Sequence, residues 1–135
     1  FDCNTYVYVW KKNPIASKSS VSLQELEKYP CLTFDQGKTN SFYFAEEVFS
    51  TYEYKQTIQV DDRASMLNLM VGLNGYTLCS GIICEELNGS DYAAVPLKET
   101  EVMTIGYVKR KSIQLSELAQ LYVNELAKYK KLVLK

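Results

Sequence analysis

Apolar and polar residues alternate along the chain in short blocks, and the apolar blocks are of two kinds. Some are rich in β-branched and aromatic residues, which predicts strands near Tyr6, Leu32, Ile58, Leu78 and Ile105. Others have apolar residues at helical spacing, which predicts helices between those strands. Residues 92–97 contain a proline and predict an edge strand. This order indicates an α/β fold with a mostly parallel sheet flanked by helices.

Local signals mark where the predicted helices begin and end. Ser22 and Glu25 form a capping box, so a short helix is expected to follow Ser22 and to end before Pro30. Apolar residues at helical spacing predict a second helix over residues 45–52. Ser116 can cap a long final helix. The apolar stripe of that final helix comprises Leu118, Ala119, Tyr122, Leu126 and Tyr129.

The central stretch, residues 54–79, predicts a strand, a helix and a second strand in succession. Asp61 and Asp62 offer carboxylates where the helix would begin. Residues 66–73 are apolar almost all round, so this helix is expected to be largely buried. Asn74 and Gly75 can adopt the left-handed conformation that ends a helix. The ligand edge of such a βαβ unit lies at the N-terminus of its helix.

Composition narrows the class of protein. The chain has 135 residues, of which 47% are apolar and 23% charged, so one soluble unit with a real core is expected. The net charge of -1, without a basic block, disfavours a nucleic-acid surface in this chain. No apolar run approaches the ~18 residues of a membrane span, so no membrane partner is expected.

Four cysteines and the absence of histidine limit the chemistry. No cysteine spacing matches a zinc site, so we expect reduced structural cysteines, a cytoplasmic location and neither metal nor cofactor. Histidine-dependent nucleophilic catalysis is excluded within this chain. Gly37-Lys38-Thr39 is similar to the end of a P-loop, but Leu32 stands where its first glycine is required. The sequence therefore indicates a protein that is not an enzyme.

Several motifs occur in an order that resembles the effector-binding domain of LysR-type transcriptional regulators. Residues 13–16 (Asn-Pro-Ile-Ala) resemble the family's "HPLA" turn, and residues 21–26 its "hSLxDL" helix. Tyr29-Pro30 resembles its "YP", residues 60–80 its "LVxxGxG" helix end, and residues 115–126 its closing "LSxxAxxFIxxL" helix. The resemblance spans about residues 6–126. Ser80 departs from it, because the family often has proline there.

The resemblance implies a truncated fragment of a two-lobed, periplasmic-binding-protein-like (type II) domain. Residues 11–98 would form the second lobe, while residues 1–10 and 102–135 would supply crossing strands and a helix of the first lobe. The family binds a small metabolite between its lobes and thereby controls a helix-turn-helix DNA-binding domain, which this chain lacks. The effector would be a sulfur amino acid or a precursor, and a homo-oligomer is expected.

Two groups of polar residues are candidates for effector binding. The first is a loop that is either a well-capped surface turn or, within the resemblance, a cleft loop that binds an anionic group; it comprises Asp35, Gln36, Gly37, Lys38, Thr39 and Asn40, with Thr33 just before it. The second is Asp61 and Asp62, which are either helix N-caps or ligands for an effector amine.

A second function class shares the two-lobed fold. The solute-binding protein of a transporter would have the same lobes but would normally be exported. The order of the motifs and the expectation of free cysteines favour the regulator. An upstream helix-turn-helix in the gene would indicate a regulator, and a signal peptide would indicate a transporter protein.

Overall fold

The computed structural model describes residues 2–35, 53–99 and 101–133, with side chains up to residue 128. It divides into a larger unit, Cys3–Met103, and a smaller one that joins the residues around Asp2 to the chain from Thr104 onward. The elements in order are β1 (Asp2–Asn4), β2 (Tyr6–Trp10), a 3₁₀ helix (Pro14–Ser17), α1 (Leu23–Leu26), β3 (Cys31–Phe34), β4 (Thr57–Val60), α2 (Arg63–Gly72), β5 (Tyr76–Cys79), α3 (Glu85–Asn88), β6 (Tyr92–Pro96), β7 (Val102–Thr104) and α4 (Glu117–Val133).

A five-stranded sheet in the order β4-β3-β5-β2-β6 organises the larger unit. Strand β3 is parallel to both β4 and β5, whereas β2 is antiparallel to both β5 and β6. Four of the five strands therefore run in the same direction, and β2 alone opposes them. The predicted α/β fold with a mostly parallel sheet is confirmed. Strands β1 and β7 form a separate two-stranded sheet.

The sheet separates two apolar clusters because successive side chains of a strand point to opposite faces. On one face, Val7 and Val9 pack with residues of the 3₁₀ helix and α1, among them Ile15 and Leu26. On the other face α2 covers the sheet. That second cluster consists of Tyr8, Leu32, Val60, Met66 and Met70.

The helix cap expected at the start of α1 is present. Ser22 and Glu25 make both hydrogen bonds of the capping box. Glu25 also pairs with Lys18 at 2.5 Å and with Lys98 at 3.1 Å, so it ties α1 to the residues that follow β6. Pro14 is the first residue of the 3₁₀ helix that follows β2, and the Asn13 side chain caps that helix by accepting a hydrogen bond from the Ile15 amide at 2.9 Å.

The prediction that α2 is largely buried is wrong. Met66 and Met70 are 4% and 0% exposed, but Val71 and Leu73 are 36% and 48% exposed. A helix that lies on one face of a sheet buries only the residues that face it, and those recur about every four positions. The predicted helix end is confirmed, because Asn74 has φ 54.

The smaller unit contains α4. The Ser116 hydroxyl accepts a hydrogen bond from the Ala119 amide at 3.3 Å, which confirms the predicted cap. Strand β7 ends at Thr104, one residue before Ile105, near which the sequence predicted a strand. Among the described residues its only strand partner is the three-residue β1, which offers no further ladder to extend it. The helix predicted over residues 45–52 lies outside the described residues.

Candidate functional site at the carboxyl edge of the sheet

The carboxyl ends of the parallel strands β3 and β4 meet at one edge of the sheet. Phe34 and Val60 are register partners, and the amide of Asp35 donates a hydrogen bond to the carbonyl oxygen of Val60 at 2.8 Å. Asp61 follows Val60 directly, so Asp35 and Asp61 leave the sheet side by side. In open α/β sheets, ligands bind outside this edge. The edge is therefore the candidate site.

The predicted site residues in β3 and just after it differ in solvent exposure. Thr33 is 8% exposed and thus nearly covered, whereas Asp35 is exposed. Gln36, Gly37, Lys38, Thr39 and Asn40 lie outside the described residues. The binding role of that loop stays a prediction.

Asp62 is the N-cap of α2. Its carboxylate accepts hydrogen bonds from the Ser65 hydroxyl at 2.6 Å and from the Ser65 amide at 2.9 Å. The hydrogen bond from the Ser65 hydroxyl, and to a lesser extent the one from the Ser65 amide, hold the pKa of the Asp62 carboxyl below its ordinary value. Asp61 is exposed beside it. Asp62 is therefore a helix N-cap, as one of the two interpretations predicted. The Asp61 carboxylate takes no part in the hydrogen bonds to Ser65 that form this cap.

A stacked tyrosine pair lies under α2 and was not identified from the sequence. The rings of Tyr8 and Tyr92 stack with centroids 5.3 Å apart and an interplanar angle of 16°. The Tyr92 hydroxyl donates a hydrogen bond to the carbonyl oxygen of Leu67 at 3.4 Å, which joins β6 to α2. Tyr8 is 6% exposed, and its hydroxyl has no hydrogen-bond partner among the described residues. The alternation of Tyr6, Tyr8 and Trp10 in β2 was the signal for an aromatic face.

Burial controls the ionisation of the Tyr8 hydroxyl and of the neighbouring Cys79 thiol. It raises the pKa of the Tyr8 hydroxyl, and the neighbouring Tyr92 and Cys79 raise it further, while the positive charge of Arg63 opposes them. Burial also raises the pKa of the Cys79 thiol, against a hydrogen bond donated by the Gly81 amide at 3.3 Å. Both groups are therefore neutral near neutral pH, and Cys79 is not an activated nucleophile.

All four cysteines are free: Cys3 and Cys31 are buried, Cys79 is partly buried and Cys84 is exposed. Within the ranges that the structure covers, no group of three or more acidic or cysteine side chains could hold a metal ion. In the same ranges, no helix combines the length and hydrophobicity needed to cross a lipid bilayer.

The family model described as the LysR substrate binding domain matches residues 1–131. No curated protein matches the chain. Among solved structures, HinK, a LysR family transcriptional regulator from Pseudomonas aeruginosa, is 18% identical over 95% of this chain and 45% of its own, with a TM-score of 0.65.

Two similar structures contain small molecules. The effector binding domain of QuiR in complex with shikimate is 17% identical over 96% of this chain and 62% of its own, with a TM-score of 0.56. The Synechocystis PCC6803 CcmR regulatory domain in complex with 2-PG is 15% identical over 96% of this chain and 64% of its own, with a TM-score of 0.55. The chain thus spans about half to two-thirds of these proteins, and at these identities the likeness concerns the fold.

Proposed function

Since the chain belongs to the LysR substrate binding domain family, we propose that it senses a small metabolite and so controls DNA binding by a linked helix-turn-helix domain. Regulators of this family are not enzymes, and the protein would act by binding alone. A cytoplasmic location is part of the proposal. Nothing in the described residues favours the transporter alternative.

The observation that carries the proposal is the meeting of two strand ends at one edge of the sheet. Asp35 follows β3 and Asp61 follows β4, and the bond from the Asp35 amide to Val60 holds the two ends together. The edge therefore offers exposed carboxylates at the N-terminal end of α2. Those carboxylates can bind a cationic amine.

The effector that suits this edge carries both charges. Asp61 would bind its amine, with Asp62 adding negative charge beside it. Backbone amides and Lys38 in residues 36–40 would bind its anionic group, as helix N-termini and basic side chains do. A sulfur amino acid or a precursor has this pattern of charges. The complexes of QuiR with shikimate and CcmR with 2-PG are consistent with a small organic ligand.

We also propose how the chain divides between lobes. Residues 11–98 would form the second lobe, and residues 1–10 and 102–135 would belong to the first. Four of the five strands of the larger sheet lie within residues 11–98, and the fifth, β2 (Tyr6–Trp10), would be the strand by which the chain enters this lobe. The two-stranded sheet of β1 and β7 would mark the crossing.

Calorimetric titration tests the proposed function. The protein is titrated with L-cysteine, L-methionine and O-acetyl-L-serine, and the wild type is compared with Thr39→Ala. We expect at least one of these zwitterions to bind, and Thr39→Ala to weaken it by about five- to tenfold through one lost hydrogen bond. Equal affinity in the variant would remove residues 36–40 from the site. Absence of heat with every compound would remove this effector class.

A further inference from the structure

Tyr6 is an aromatic residue at the candidate site that the protein core does not use. It begins β2, and because β2 is antiparallel to β5, its register partner is Cys79, the last residue of β5. Tyr6 therefore lies at the same carboxyl edge as the ends of β3 and β4. Neither apolar cluster of the described residues includes Tyr6, although Tyr8, on the same face of β2, belongs to the second. Its side chain is half-buried, so part of a large ring stays in water.

The turn that follows β5 holds the Tyr6 ring in place. A Cβ added at Gly81 would lie 2.6 to 2.9 Å from three atoms of this ring, so the Gly81 backbone packs directly against it. Gly81 has a φ of 80°, which favours glycine, and its amide donates a hydrogen bond to the Cys79 sulfur at 3.3 Å. The ring is thus packed on one side and partly exposed, and it offers a preformed apolar surface.

Tyr6 is the centre of an apolar strip, formed by Cys79, Tyr6 and Pro96, across three strand ends. Cys79 of β5 and Pro96 of β6 are both register partners of Tyr6, so the three side chains lie on one face of the sheet. Cys79 is half-buried like Tyr6, and Pro96 is exposed. Beyond Cys79, the ends of β3 and β4 are followed by the exposed residues Asp35 and Asp61. The carboxyl edge is therefore divided into a charged half and an apolar half.

We propose that Tyr6 determines effector specificity by binding the apolar side chain of an amino acid whose amine is bound at Asp61. This inference rests on the proposed function and narrows it, because it selects among amino acids by the length and polarity of their side chains. Small-molecule sites combine apolar and aromatic walls with a few polar groups that fix orientation. The division of this edge into two halves matches that arrangement.

The spacing of the strands sets the length of the effector. In the order β4-β3-β5-β2, the end of β2 is three strand spacings from the end of β4, or roughly 14 Å. A hydrogen bond to the amine covers about 3 Å and van der Waals contact with the ring about 4 Å, so the effector extends roughly 7 Å from its amine. Extended L-methionine has this reach, and its thioether suits an aromatic ring, whereas L-cysteine is too short.

Calorimetric titration with L-methionine, L-norleucine and L-cysteine tests the specificity. We expect L-methionine and L-norleucine, which has the same length without sulfur, to bind at least about tenfold more tightly than L-cysteine. Tyr6→Thr, which removes the ring but keeps a residue that favours strands, should weaken L-methionine binding by about tenfold or more. Tyr6→Phe keeps the ring and should bind L-methionine as the wild type does. Trp10→Thr removes a ring from the same face at the opposite end of β2, and should leave L-methionine binding unchanged.

NMR on the wild type makes the test independent of how the variants fold. Nuclear Overhauser effects are measured between the isotope-labelled methyl group of L-methionine and the ring protons of Tyr6. We expect these effects together with a saturable shift of the ring signals. Ethyl methyl sulfide, which is the methionine side chain without the charged groups, should shift the same signals at higher concentration. Equal affinity of the wild type for L-methionine and L-cysteine, or unchanged L-methionine affinity in folded Tyr6→Thr, would overturn the proposal.

The two ligands keep this proposal distinct from the proposed function. If L-methionine binds and its methyl group contacts the Tyr6 ring, both proposals are supported. If L-methionine binds without contact to Tyr6, the proposed function stands and the role of Tyr6 is overturned. If ethyl methyl sulfide shifts the Tyr6 signals and no amino acid binds, the apolar site at Tyr6 stands and the amino-acid effector is excluded. If neither ligand affects the Tyr6 signals, the role of Tyr6 is overturned.

Discussion

The backbone amide of Asp35 donates a hydrogen bond to the carbonyl oxygen of Val60 at 2.8 Å, although 25 positions separate them along the sequence. This bond is the last of the pairing between β3 and β4 at their carboxyl ends. It brings Asp35, the residue after β3, beside Asp61 and the start of α2. Asp35 and Asp61 are thus neighbours because of strand register, which no local motif encodes.

Burial along α2 predicts unequal effects of two similar substitutions. Met70 is 0% exposed and Leu73 is 48% exposed. Met70→Ala should destabilise the protein by about 2–5 kcal/mol because it leaves a cavity, and Leu73→Ala by less than about 1 kcal/mol. Urea denaturation of both variants measures this difference. Equal losses would contradict the observed orientation of α2.

Gly81 and Gly89 form a matched pair for a second prediction. Both have positive φ, at 80° and 78°. A Cβ at Gly81 would lie 2.6 Å from a ring atom of Tyr6, whereas at Gly89 it would meet nothing within 4 Å. Gly89→Ala should cost about 1–2 kcal/mol from backbone strain alone. Gly81→Ala should cost about 1–3 kcal/mol more, because the Tyr6 ring must move.

Thermal denaturation of these two alanine variants gives the comparison. Gly72→Ala serves as a third variant, since Gly72 lies in α2 with open space around it. It should stabilise the protein by up to about 1 kcal/mol, because alanine favours helix over glycine. If Gly81→Ala were no worse than Gly89→Ala, the contact between Gly81 and Tyr6 would be disproved.

Glu25 predicts a dependence of stability on pH. Hydrogen bonds from Lys18, the Ser22 amide and Lys98 hold the pKa of the Glu25 carboxyl well below its ordinary value. A group whose pKa is lower in the folded state adds stability above its unfolded-state pKa, and this stability is lost as pH falls through the folded-state value. The loss should therefore begin near pH 4.5, the ordinary value for this carboxyl, and deepen below it.

Glu25→Gln tests this dependence. The variant should have a lower denaturation midpoint than the wild type at pH 7, and the gap should narrow steadily below pH 4.5. Added salt should also narrow it, because Lys18 and Lys98 are partly exposed and their pairing is screened. A gap that stayed constant from pH 7 to pH 3 would show that Glu25 acts through packing rather than charge.

The apolar face of α4 predicts self-association. Leu118, Leu121 and Tyr122 are 77%, 57% and 65% exposed, and they recur at helical spacing with Leu126. A face of this size in water favours a partner, since each large apolar side chain buried contributes about 1.5–3 kcal/mol. A second copy of the chain is a partner that is always present.

Light scattering at micromolar concentration measures the mass. We expect about twice 15.4 kDa for the wild type. Leu121→Asp, among these exposed apolar residues, should shift the mass toward 15.4 kDa. Asn124→Asp, which adds the same charge at a polar position of α4, should not. A monomeric wild type with its last helix protected from hydrogen exchange would contradict the prediction.

The sequence predicted the caps and the strands well, and the reasons are local. Ser22 with Glu25, and Ser116 with Ala119, interact within one helical turn, so short motifs suffice to identify them. Asn74 likewise ends α2 through its own backbone conformation. Burial around α2 was predicted less well, because Val71 and Leu73 have apolar side chains but face away from the sheet.

The tyrosine pair shows the other limit of sequence reasoning. Tyr8 and Tyr92 are 84 positions apart and meet only because β6 pairs with β2. Whether a buried hydroxyl finds a partner depends on atoms from several elements at once. No pattern in either strand could predict that the Tyr92 hydroxyl donates to the Leu67 carbonyl oxygen, or that the Tyr8 hydroxyl has no hydrogen-bond partner among the described residues.

Backbone amide shift mapping tests the central claim that the effector binds at the carboxyl edge of the sheet. The ligand is whichever of L-cysteine, L-methionine and O-acetyl-L-serine gives heat in calorimetry. We expect the largest shifts at the carboxyl edge, in Asp35, Asp61 and Asp62. Shifts concentrated at the opposite edge, around Cys31, Thr57 and Tyr76, where β3, β4 and β5 begin, would contradict the account.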